Sequence, residues 1–151
     1  MNPLSKTLLG LFLCLTSAMS IAQTKTSLKP RVFNDYPDQI GLSSTTLRVA
    51  LTSKKDEIIN IALEGILLLR GKVISNDQKY QNLQSMLIRL DGFNNSLLSI
   101  SQITNEDKSI SYTGRILNQQ TSDGYEIKID ASGNYRLQKF ETARILPDCS
   151  Y

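Results

Sequence analysis

From Glu57 onward, apolar and polar residues alternate in short runs. Ile58–Leu63 comes first, and Ile66–Ile74 follows after Gly65. Leu83–Leu90, Leu97–Ile103 and Ser109–Leu117 come next. In the last of these, Ile110, Tyr112, Gly114 and Ile116 share one face, and Ser111, Thr113 and Arg115 share the other. Tyr125, Ile127 and Ile129 then alternate with Glu126, Lys128 and Asp130, and Tyr135 and Leu137 continue the rhythm. A period of two marks strands with one buried face. Phe140 falls out of phase, which predicts a bulge near Lys139.

Turn-forming residues separate the runs: Asn76-Asp77, Asp91–Asn95, Asn105–Lys108, Ser122–Gly124 and Asp130–Asn134. Side chains on one face must also meet across a hairpin. Ile129 opposite Tyr135 and Ile127 opposite Leu137 meet that condition, as does a tighter loop with Gly133 at a bulge. The expected fold is mainly β, an antiparallel meander of about seven strands closed as a small barrel or packed as a two-layer sandwich.

Before the strands, Ser43–Lys55 carries Leu47, Ala50 and Leu51 at helical spacing. Ser43 or Ser44 can cap this short helix, and Lys54 and Lys55 suit its negative end. Thr45, Thr46 and Val49 keep a strand open as the alternative. Residues 23–42 are polar, with Pro30 and Pro37 and no clear period, and predict an extended arm. Phe33, Tyr36 and Ile40 are the residues able to pin it to the body. Residues 43–151 then form a single β-rich domain.

Met1–Ala22 has the layout of a secretory signal peptide. Lys6 precedes the apolar run Leu8–Leu15, and Ser20-Ile21-Ala22 places small residues before a cut at Gln23. The run is too short to span a bilayer. Removing 22 of the 151 residues leaves 129, one domain with room for a core. The expected location is outside the cytoplasm: secreted, periplasmic or in the cell envelope. Cys14 would leave with the leader. Cys149 would remain as a free thiol, a mixed disulfide or a link between two copies.

Charge adds little to this picture. The chain has 17 basic and 14 acidic residues, dispersed rather than clustered, so a nucleic-acid partner is not expected. There is no histidine. Imidazole bases, Ser–His–Asp systems and histidine metal sites are thereby excluded. No cofactor or metal site is expected. The carboxylate pairs Asp35 with Asp38, Asp56 with Glu57, and Glu106 with Asp107 fall in turns or the arm, where water keeps both members ionised. Tyr112, Tyr125 and Tyr135 fall on successive strands and are candidates for a ligand or interface surface. Arg115, on an opposite strand face, is a further interface candidate.

Asp130-Ala131-Ser132-Gly133-Asn134-Tyr135-Arg136-Leu137 resembles the turn-and-strand signature of carboxypeptidase-regulatory-like β-sandwich modules in bacterial surface proteins. The resemblance covers eight residues and implies a β-domain. The functional expectation is an exported, non-enzymatic domain that binds a protein, such as an envelope component or a protease it inhibits, or a surface polymer. The alternative is a barrel with an interior pocket for a small lipophilic ligand. A carboxylate-based hydrolase is the third reading.

Overall fold

The computed structural model describes residues 29–65 and 67–142. The expected leader Met1–Ala22, its expected junction with Gln23, and Cys149 lie outside them. Eight strands and one helix follow in chain order: β1 Gln39–Leu42, α1 Ser44–Ala50, β2 Ile58–Leu63, β3 Leu67–Tyr80, β4 Leu83–Leu90, β5 Leu97–Thr104, β6 Ile110–Leu117, β7 Asp123–Ile129 and β8 Tyr135–Glu141. Strands β2 to β8 form an antiparallel meander, and β1 pairs with β8 at the far side. This brings β1 back beside β2, so the sheet is a nearly closed barrel.

The expected alternation sets which side chains fill the barrel. Leu69, Met86, Ile88, Ile100, Ile116 and Leu137 all point inward and are buried. Of the two β7–β8 registers left open, the one with the five-residue loop is present, with Ile129 facing Tyr135 and Ile127 facing Leu137. Among Leu47, Ile61, Leu69, Leu98, Ile100 and Leu137 a space of about 10 Å³ remains, no more than a single water needs. The centre of the barrel is therefore filled with side chains. A carrier of lipophilic ligands would need a lumen there.

Four local expectations are corrected. β3 does not turn at Asn76-Asp77 but runs on to Tyr80, with register shifts between Val73 and Ser75 and between Gln78 and Tyr80. Asn76 serves another purpose: its amide donates to the carbonyls of Leu51 and Ser53, 2.8 and 2.7 Å away. Gln84 also donates to Leu51 O, so α1 ends at Ala50 rather than at Lys55. No bulge occurs near Lys139, where β8 stays in register with β7. Lys139 takes the inward position that the pattern reserves for an apolar residue. Its ammonium donates to Tyr36 O and lies 6.0 Å from the centre of the Tyr125 ring.

The fourth correction concerns the arm expected over residues 23–42. Its described part belongs to the body and supplies the eighth strand, β1. Ile40 and Leu42 are buried, and Ser43 caps α1 by accepting from Thr46 N at 3.0 Å. Farther back, Phe33 is fully buried. It stacks on Phe93 at 5.2 Å and meets the edge of Tyr125 at 5.1 Å. The buried Asp123 carboxylate accepts the amides of Val32 and Phe33 at 2.8 and 2.9 Å. Phe33, Tyr36 and Ile40, the residues expected to pin the segment, all pack against the body, while the short strand β1 was not expected.

Candidate functional site

The structure separates the residues singled out from the sequence. Tyr125 lies in the core and donates its hydroxyl to Pro37 O. Burial pushes this phenol up to about 12, with smaller contributions from Asp38, Asp123 and Tyr36. Tyr112 and Tyr135 do meet, edge to face at 5.6 Å. They bridge a parting in the wall. β6 and β7 pair only at Arg115–Glu126 and Ile116–Tyr125, and beyond that the Tyr135 hydroxyl accepts the Tyr112 amide at 3.1 Å. Burial raises the Tyr112 phenol, with Arg48 acting against it. These three tyrosines hold the barrel together rather than line one surface.

Arg115 stands on the outer wall. Cross-strand register sets Leu87 of β4, Ser99 of β5, Arg115 of β6 and Glu126 of β7 in one row, with Leu97 and Leu117 paired in the row beside it. The Arg115 guanidinium donates twice to Glu126 Oε1, at 3.1 and 2.8 Å, and Lys128 lies 2.8 Å from Glu126 Oε2. Burial works to raise the Glu126 carboxyl, but these two cations outweigh it and hold it below its ordinary value.

Leu87, Ser99 and Arg115 of this row, with Leu97 and Leu117 beside them, floor a groove of about 750 Å³ on the barrel's outside. Its apolar part is Leu87, Leu97 and Leu117. One wall is the turn between β4 and β5, and the other is Asn118-Gln119-Gln120 between β6 and β7. The first wall is strained. Gly92, Phe93, Asn94 and Asn95 all have positive φ, at 81°, 44°, 55° and 56°. A left-handed conformation costs most L-residues about 1–2 kcal/mol each, with asparagine among the most tolerant. The surroundings enforce it here. Phe93 is clamped by Phe33 and Tyr36, and Asn118 donates its side-chain amide to Asn94 O. Backbone held this way clusters at ligand-binding sites.

Apart from Arg115, none of the groove residues was singled out from the sequence. Asn94, Asn95, Asn118, Gln119 and Gln120 look like ordinary turn residues until the strand register gathers them. A useful signal was the run Phe93-Asn94-Asn95, in which an aromatic anchor precedes two residues that tolerate positive φ. The acidic pairs are engaged locally instead. Asp56 is paired with Lys72 at 2.7 Å, and Asp107 accepts from the Ser109 amide and hydroxyl. These bonds lower both carboxyls. Among the described residues no group of three His, Cys, Asp or Glu could hold a metal, and no helix is long and apolar enough to cross a membrane.

The architecture thus defines a small antiparallel β-barrel with a filled interior and an amide-rimmed outer groove. Compared with known proteins, the chain matches no family model, no curated protein and no solved structure.

Proposed function

We propose that this protein is an exported binding module, and that its partner, a protein or a surface polymer, is held in the outer groove. The observation that carries the reading is the strained turn Gly92–Asn95, kept beside an apolar floor in a depression of a size typical for ligands. The filled barrel centre directs attention to the outer wall rather than to a lumen. Export rests on the leader-like layout of Met1–Ala22, and predicts a mature N-terminus at Gln23.

A photo-crosslinking residue at Leu97 or Leu117 tests the groove in living cells. Leu68 on β3, exposed outside the groove, serves as the control. The expected result is one discrete adduct from both groove positions and none from Leu68. Equal adducts from all three sites, or none from any, would defeat the proposal. N-terminal sequencing of the protein from medium and envelope fractions tests export; an intact Met1 in the cytoplasm would refute it.

A further inference from the structure

We infer that the groove's ligand is an uncharged oligosaccharide chain, an inference that rests on the groove being the binding site. Charge is the first argument. Arg115 is the charged residue of the groove lining, and its guanidinium is engaged through two hydrogen bonds by Glu126, a carboxylate it shares with Lys128 outside the lining. An anionic polymer therefore meets no free cation in the lining.

Hydrogen-bonding capacity is the second argument. Four exposed carboxamides stand around the floor: Asn94 and Asn95 on one wall, Gln119 and Gln120 on the other. Their side chains have no hydrogen-bond partner among the described residues, whereas Asn118 is used to brace Asn94. Each carboxamide offers both donors and an acceptor. That combination matches hydroxyl and acetamido groups, which also donate and accept. Leu87, Leu97 and Leu117 between the walls can receive the C–H faces of sugar rings.

The third argument concerns peptides. An extended peptide gains most from adding to an open sheet edge through its main chain. The floor here is the outer face of β4, β5 and β6, whose backbones already pair with one another through continuous registers. A peptide would have no ladder to join. The groove instead suits a chain recognised through hydroxyl and amide groups along its length.

Calorimetric titration of the full chain tests this, using neutral hexasaccharides of glucose and of N-acetylglucosamine, a sulfated hexasaccharide and an extended heptapeptide. At least one neutral hexasaccharide should bind, with affinity changing less than about twofold between about 0.02 and about 0.5 M salt. The double variant Gln119→Ala/Gln120→Ala should weaken it about tenfold through two lost hydrogen bonds, while unfolding at the parent's temperature. Preference for the sulfated ligand, for the peptide, or for none of the four overturns the inference. If a protein adduct still forms at Leu97 and Leu117, the groove stands as a binding site and only the sugar is wrong. Absence of both adduct and sugar binding removes both readings.

Discussion

Replacing Asp123 with alanine should detach the N-terminal segment from the barrel. The carboxylate is almost fully buried and accepts two amides, from Val32 at 2.8 Å and Phe33 at 2.9 Å. Alanine leaves both donors without this acceptor. An unsatisfied buried amide costs about 1–3 kcal/mol, and the Val32 amide, only partly buried, belongs at the low end. The expected loss is about 2–4 kcal/mol, a large share of the roughly 5–15 kcal/mol that stabilises a domain. Asparagine should do little better, because its NH₂ would face one of the two donors. Urea unfolding followed by circular dichroism should show a midpoint lowered by about 1–2 M. Amide exchange should accelerate first at Val32 and Phe33. Phe33→Ala releases the same segment, so the double variant should cost less than the sum of the two singles. A loss below about 0.5 kcal/mol for Asp123→Ala, or strict additivity with Phe33→Ala, would refute the view that one carboxylate clasps the segment.

Other expectations follow from single contacts. The Tyr125 phenol rises from near 10 when unfolded to about 12 in the fold, so its contribution is complete below pH 10 and lost as pH climbs toward 12. That loss amounts to about 3 kcal/mol, and urea melts at pH 9 and 11.5 should show a steeper decline for the parent than for Tyr125→Phe. Asn94→Gly relieves a left-handed residue at φ 55° and should stabilise the protein by up to about 1 kcal/mol in thermal melts, while loosening the wall of the groove and weakening binding. Gly114→Ala would place a Cβ 2.2 Å from the backbone oxygen of Ser99, and should cost about 3 kcal/mol in the same melts. Tyr135→Phe removes the acceptor for the Tyr112 amide and should cost about 1 kcal/mol, with faster exchange at Tyr112.

Much of the barrel could be read from its period-two pattern, because inward and outward positions differ sharply in β4 to β8. The buried face of the β7–β8 pair was legible, since any odd slip would turn Ile127 and Leu137 outward, but parity alone left both the five-residue loop and a tighter one open. β1 was hidden because four residues are too few to establish a period, and two prolines precede it. The length of β3 was misread because Asn76 is a turn former whose amide here secures the end of α1. Lys139 was misread for a similar reason: its long stem fills an inward position while its charge finds Tyr36 O. The groove depends on register across three strands and on two loops 23 or more residues apart, from Asn95 to Asn118. No local window contains it.

The pairing of β1 with β8 has a consequence for how the barrel is made. Gln39 faces Gln138, nearly the whole described chain away. Among the described residues the first strand to be made therefore has its partner in the last. Ordering so distant a contact carries a loop-closure cost that slows folding. The meander of neighbouring hairpins can assemble first, and β1 with its Phe33 anchor is then the natural last piece. Until that step, Ile40, Leu42 and Phe33 remain uncovered on the nascent chain, open to a chaperone that retains apolar segments. Completion of the barrel would be the event that ends such retention.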